Sequence, residues 1–131
     1  CAVAALYHDA SEILTGDLPT PIKYYNPEIK TAYKQVERVA GERLLNMLPP
    51  ELRASSEHDV LEDDEALAPI VKGADKLSAH IKCLEEQKAG NTEFDTAARQ
   101  TWEAIQAMDR PELNWFVEHC LGAFALNLDQ L

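Results

Sequence analysis

The chain has 131 residues, 46% of them hydrophobic and 27% charged, a size that suits one compact domain and a composition that is globular rather than disordered. Its 12 Lys and Arg against 23 Asp and Glu leave a formal net charge of −11. That balance argues against binding along a nucleic-acid polymer, where phosphate neutralisation needs clustered cations. It leaves a small phosphorylated substrate open, because a bound divalent ion reverses the local field of a pocket. No apolar run approaches the ~18 residues of a membrane helix, and the opening segment lacks the basic start of a signal peptide, so the chain reads as soluble and cytoplasmic. It begins at Cys1, inside what reads as a helix, and is expected to be the C-terminal part of a longer protein.

The first predicted element runs from Cys1 to about Leu14 and ends at Gly16. Leu18-Pro19-Thr20-Pro21 then makes a stiff exit that holds Asp17 in place. Asn26 reads as an N-cap with Pro27 at the first helical position. From there Ile29, Tyr33, Val36, Ala40, Leu44 and Met47 recur at helical steps as far as Pro49-Pro50. An acidic, irregular linker follows. The next helix starts between Asp64 and Pro69, carries Val71, Ala74, Leu77, Ile81 and Leu84 on one side, and stops at Gly90-Asn91. Thr92 with Asp95 resembles a capping box opening a helix with Ala98, Trp102, Ile105 and Met108 inward, and Asp109 with Pro111 starts a last helix ending near Gly122. No stretch alternates as a strand does and no repeat is visible, so the fold class is all-α, with the helices of residues 1–131 packed around a shared core. Cys1, Cys83 and Cys120 show no Cys-x-x-Cys spacing and read as small buried hydrophobes in a reducing compartment.

Chemistry concentrates at the first helix. On a continuous helix His8 and Glu12 share a face and Asp9 lies about 100° round from His8, so three polar groups crowd the end of an apolar segment. Imidazole and carboxylate are ordinary ligands for divalent metals; the bland alternative is a capped or solvated pair. His58-Asp59 repeats the dipeptide in the acidic linker, where it reads as a solvated loop. Asp75 falls with Val71, Ala74 and Ser78 on the apolar side of its helix, where a carboxylate without a partner is costly. Its pattern fits a metal ligand, an ion pair with Lys72 or an inter-helix hydrogen bond equally well.

A His-Asp pair on one helix with a distant aspartate on another resembles the HD-domain metal-dependent phosphohydrolases. Tyr7-His8-Asp9-Ala10-Ser11-Glu12, with Leu14-Thr15-Gly16-Asp17-Leu18-Pro19-Thr20-Pro21 and Lys23-Tyr24, is similar to the bacterial 5'-deoxynucleotidases of that superfamily. The similarity continues through Pro50-Glu51-Leu52-Arg53, Val71-Lys72-Gly73-Ala74-Asp75, Lys82-Cys83-Leu84-Glu85-Glu86 and Ala89-Gly90-Asn91, and so covers nearly the whole chain.

The resemblance implies an HD-domain helical bundle and removal of the 5'-phosphate from deoxyribonucleoside 5'-monophosphates in preference to ribonucleotides. It implies His8, Asp9 and Asp75 as ligands of a divalent metal such as cobalt or manganese, with Asp9 and Asp75 also facing the substrate. Glu12 would position or activate the attacking water and Asp17 would contact the sugar. In the family a first histidine ligand and a substrate-selecting Arg-Trp pair come from helices preceding the His-Asp helix, where this chain has no residues. Trp102 and Trp115, which read as core aromatics, do not replace that tryptophan. Three of four ligands are thus expected here, and the 131 residues alone are expected to turn over poorly. Residues 55–64 depart from the family pattern and carry no transferred role.

The alternatives are an HD-type enzyme for another nucleotide, or a helical interaction or dimerisation module with an incomplete site; Glu12 and Asp17 beside the histidine favour an enzyme. The resemblance also implies a homodimer, for which the apolar helices from Asn91 to Gly122 offer surfaces, although those same residues could simply close the monomer core.

Overall fold

The computed structural model describes residues 1–19, 22, 25–61, 64–127 and 129–130. Among them every regular element is helical and no strand is present, as the sequence predicts. Thr20, Pro21, Lys23 and Tyr24, which belong to the predicted exit and the family string, lie outside the described residues. The chain forms two compact units, Cys1–Ala68 and Pro69–Leu131.

The N-terminal unit contains α1 (Ala2–Tyr7), α2 (Glu12–Thr15), α3 (Pro27–Met47) and α4 (Pro50–Leu61). The cap predicted for α3 is present: Asn26 Oδ1 accepts from the Ile29 amide at 2.7 Å, and Pro27 supplies a first residue with no amide to satisfy. The helix ends where Leu48 turns extended ahead of Pro49, the conformation that a following proline favours. Arg53 Nη2 then donates to the Asn46 and Leu48 carbonyls at 3.3 and 3.2 Å. Its stripe is narrower than the sequence suggests: Ala40, Gly41 and Leu45 are buried, but Val36 and Met47 are exposed. α1 and α3 both pack on α4, and α2 packs on α3.

Two predictions fail in this unit. The expected irregular linker is α4, so His58-Asp59 is helical, although His58 is solvent-exposed as expected. α4 begins at Pro50 with Glu51 in its first turn, both favourable there, and it buries no residue; with no inward stripe, periodicity had nothing to detect. The first helix is also not continuous. After Tyr7 the chain makes a turn in which the amides of Ala10 and Glu12 reach back three residues, to Tyr7 and Asp9, at 2.9 Å each.

The C-terminal unit is built on α5 (Ala68–Lys88), α6 (Asp95–Met108) and α7 (Pro111–His119), with short 3₁₀ turns at Thr92–Phe94 and Leu121–Ala125. Asp64 Oδ1 accepts from the Ala66 and Leu67 amides at the approach to α5. The exit of α5 is a Schellman turn: Asn91 N–H bonds Glu86 O and Gly90 N–H bonds Gln87 O, both at 2.9 Å. Leu77, Ile105 and Leu113, one from each helix, form the core, with Met108, Phe116 and Val117 packed against them. The predicted Thr92–Asp95 capping box is absent. Asn91 Oδ1 instead accepts from the Glu93 amide at 3.1 Å and opens the 3₁₀ turn, and the Asp95 carboxylate accepts from Gln87 Nε2 at 2.8 Å.

α7 stops at His119, short of Gly122. Trp102 is half-buried against His80, but Trp115 is 59% exposed and stacks on His119 one turn on, so it is not a core aromatic. Of the cysteines only Cys83 is buried, and Cys1 is exposed; all three are free thiols.

At Gly73 the side chain of Leu113 from α7 packs directly on the backbone of α5. A Cβ there would lie 2.6 and 2.7 Å from the two methyls of Leu113 and 3.0 Å from its Cγ. Gly73→Ala should therefore destabilise the protein by roughly 1–2 kcal/mol, overpacking outweighing the gain in helix propensity, and a lowered urea midpoint at constant m-value is the readout.

A second expectation concerns pH. Glu86 accepts from Lys82 Nζ at 2.8 Å and from Asn91 Nδ2 at 2.9 Å. The Lys82 hydrogen bond, then the Asn91 bond, hold the Glu86 carboxyl below its ordinary value, and the Glu86 hydrogen bond raises Lys82. The stabilisation from Glu86 is complete above its unfolded value of about 4.3 and is lost as pH falls through the lowered folded value. That from Lys82 is complete below about 10.4 and is lost as pH rises through the raised value. The stability difference between wild type and Glu86→Gln should hold level between roughly pH 5 and 10 and shrink on acidification.

Candidate metal centre

The His8 ring sits at the end of α1, where the backbone stays in the helical region but its hydrogen bonds shorten from four residues to three. Its Nδ1 is 2.7 Å from the Ala5 carbonyl oxygen. A carbonyl only accepts, so Nδ1 carries the proton and, in the neutral ring, Nε2 holds the lone pair. Nε2 in turn lies 3.1 Å from Asp9 Oδ2. The separation is that of a proton-bridged pair or of two ligands on one metal ion. The donor set fits a divalent ion. A ligating imidazole usually donates its other N–H to a carbonyl or carboxylate, which fixes tautomer and ring orientation, and Ala5 supplies that here. The His8 and Asp9 side chains are 30% and 60% exposed, open enough for an ion and a substrate to enter.

The break after Tyr7 shapes the site. In a continued α-helix the Ala5 carbonyl accepts from the amide four residues on, that of Asp9, whereas here the His8 ring takes that oxygen. The chain tightens into a turn, and Glu12 becomes the half-buried first residue of α2.

α2 ends at Gly16, with φ 70° and ψ 163°, a region that is essentially confined to glycine. Both polar groups of Gly16 are engaged: its N–H bonds Glu12 O at 2.8 Å, and its carbonyl accepts from Tyr33 Oη at 2.7 Å and Thr15 Oγ1 at 3.0 Å. Asp17 follows directly and is exposed, and its carboxylate makes no hydrogen bond or ion pair among the described residues. Tyr33 was readable only as an apolar-face residue of α3; the hydroxyl bond to a backbone carbonyl 17 residues away leaves no mark in the pattern.

Of the three predicted metal ligands, the structure brings His8 and Asp9 together. Asp75 belongs to the C-terminal unit and is not on the buried side of α5. The buried stripe there is Val71, Gly73, Leu77, His80 and Cys83. The Asp75 side chain is 45% exposed and pairs with Lys76 at 3.5 Å rather than with Lys72. The sequence misplaces the stripe because it passes through Gly73, which offers no apolar side chain to mark it. Among the described residues no group of three or more His, Cys, Asp or Glu side chains is gathered into a metal cluster.

His80, which sequence reading passed over, is buried; its Nδ1 bonds Thr101 Oγ1 at 3.0 Å. It lines an open apolar depression of about 300 Å³ with Leu84, Trp102 and Val117. No carboxylate lines that depression, so it does not suit a cation.

A model of the YfbR-like 5'-deoxynucleotidase family matches residues 1–124. The chain belongs to this family. It is 45% identical over 129 residues to a 5'-deoxynucleotidase of Shewanella oneidensis, covering 97% of this chain and 66% of the relative. It is 46% identical to one of Erwinia tasmaniensis, over 99% of this chain and 67% of the relative. A 5'-deoxynucleotidase of Yersinia pestis is 45% identical over the same shares. The chain thus spans about two thirds of the length of the curated relatives it matches. In this YfbR-like chain the His8-Asp9 turn and the Gly16 exit lie within the matched residues, and no helix among the described residues is long and apolar enough to cross a membrane.

A Cβ on Gly16 would meet nothing within 4 Å, so the cost of a side chain there is conformational alone. Gly16→Ala should lower stability by roughly 1–3 kcal/mol despite the open space, measurable by thermal or urea unfolding.

Proposed function

We propose that the protein is a metal-dependent phosphomonoester hydrolase that removes the 5'-phosphate from deoxyribonucleoside 5'-monophosphates, with ribonucleotides disfavoured. The observation that carries the reading is the His8–Asp9 pair, two acceptors 3.1 Å apart on a histidine whose other nitrogen is bonded to Ala5, in a chain of the YfbR-like family. His8, Asp9 and Asp75 hold one divalent ion, cobalt or manganese, and Asp9 and Asp75 also border the substrate. When bound, the ion supplies Lewis acidity, polarising the phosphate and acidifying water. Glu12 orients the attacking water and takes its proton, the work of a general base. Asp17 accepts a hydrogen bond from a deoxyribose hydroxyl; among the described residues its carboxylate makes no hydrogen bond or ion pair.

The same reading makes the enzyme a cytoplasmic homodimer, for which the 59% exposed Trp115 is a candidate contact.

Metal analysis and kinetics of the full-length protein test this together. Asp9→Asn and Asp75→Asn should each lose bound metal. Glu12→Ala should keep metal and nucleotide binding and lose about 10²–10⁴ in kcat. Metal retained in Asp75→Asn removes Asp75 from the ligand set, metal lost in Glu12→Ala makes Glu12 a ligand, and an inactive, metal-free wild type favours a helical interaction module instead.

A further inference from the structure

We infer that Tyr33 is a positioning residue for substrate binding, acting on Asp17 through the Gly16 carbonyl; this rests on the proposed role of Asp17 as the sugar contact. The carbonyl oxygen of Gly16 belongs to the peptide unit that also contains the Asp17 amide. That unit is planar, so fixing its oxygen fixes the direction in which the Asp17 N–H and Cα leave. Tyr33 Oη donates to this oxygen at 2.7 Å, the commonest length for an O–H···O bond.

The second donor on the same oxygen, Thr15 Oγ1 at 3.0 Å, belongs to α2 itself. It travels with the exit it bonds, and its own link to α3 is a 3.4 Å contact with the same Tyr33 hydroxyl. Tyr33 registers the exit, because it sits on α3, a 21-residue helix capped by Asn26. Beside the packing of α2 on α3, the Tyr33 hydroxyl is therefore a direct tie between the peptide unit that carries Asp17 and a long, capped element. The need is real at this point of the chain. Gly16 has φ 70° and its Cβ position is empty space, so no side chain of its own holds the elbow, and Asp17 beyond it is exposed. Without the Tyr33 bond the carboxylate would sample more directions, and each productive encounter with a sugar hydroxyl would first have to order it.

The test is a double-mutant cycle in the full-length enzyme with a deoxyribonucleoside 5'-monophosphate. Tyr33→Phe keeps the ring and removes only the donor. It should raise KM about three- to tenfold, the size expected for one neutral hydrogen bond, with kcat and metal content retained. In an Asp17→Asn background the same change should add nothing, because the group it positions is already disabled. A KM effect of Tyr33→Phe that persists undiminished in Asp17→Asn, or no KM effect while Asp17→Asn alone raises KM, overturns the inference and leaves the reading of Asp17 intact. An unchanged KM in Asp17→Asn overturns that reading itself, and the positioning role with it. Amide exchange gives a readout independent of turnover: the Gly16 amide, bonded to Glu12 O at 2.8 Å, should exchange faster in Tyr33→Phe while α3 amides keep their wild-type protection. Equal exchange at Gly16 in variant and wild type also overturns the inference.

Discussion

The hydrogen bond from His8 Nδ1 to the Ala5 carbonyl governs the N-terminal unit at three levels. It occupies the acceptor that a continued helix would use, at the point where α1 ends after six residues. It fixes the tautomer, so the Nε2 lone pair faces outward. It also orients the ring toward Asp9, 3.1 Å away. The backbone bonding, the ring tautomer and the approach of His8 to Asp9 therefore share one cause. A change that frees the Ala5 carbonyl would be felt at the His8–Asp9 pair even though Ala5 has no polar side chain.

The two units distribute stability and chemistry differently. α1 and α2 bury no residue; they are held by local hydrogen bonds and by packing on α4 and α3. The C-terminal unit is a three-helix core around Ile105, 1% exposed, with α5 and α7 drawn together at Gly73. Chemistry on short turns carried by longer helices is a common division of labour, because a turn can present groups that a regular helix spends on its own bonding. The cost is precision: a turn with no buried side chain needs specific ties, and the bonds to Ala5 and Gly16 supply them.

What the sequence revealed follows the same line. α3 and α5 were readable because their ends carry side-chain or proline signals and their inward residues recur. α4 was not, because it buries nothing. The break at His8 was not, because a ring competing for a backbone carbonyl leaves the spacing of apolar residues unchanged. The face of Asp75 was misjudged because the stripe runs through Gly73, which hydrophobic patterning does not count. At the site, local pattern singled out His8, Asp9 and Glu12 as a group, whereas their roles and that of Asp17 came from resemblance over a long string. Tyr33 was invisible as a donor, since the same residue type also serves an apolar face.

The charge of the chain constrains how a nucleotide could be oriented. With a net −11, the long-range field repels a phosphate dianion, so attraction has to be local. The His8–Asp9 pair becomes attractive to phosphate only when positive charge sits between its acceptors. Asp17 has the opposite character. A carboxylate accepts from a hydroxyl but repels a phosphate, and this one has no protein partner among the described residues to neutralise it. A nucleoside monophosphate carries both kinds of group, a dianionic end and a hydroxylated ring. On the proposed function, the two ends of the segment from His8 to Asp17 would sort them by charge, the phosphate toward an ion held at His8 and Asp9 and the sugar toward Asp17. On that proposal, the acidity that argues against a nucleic-acid polymer works in favour of reading a single nucleotide in one direction.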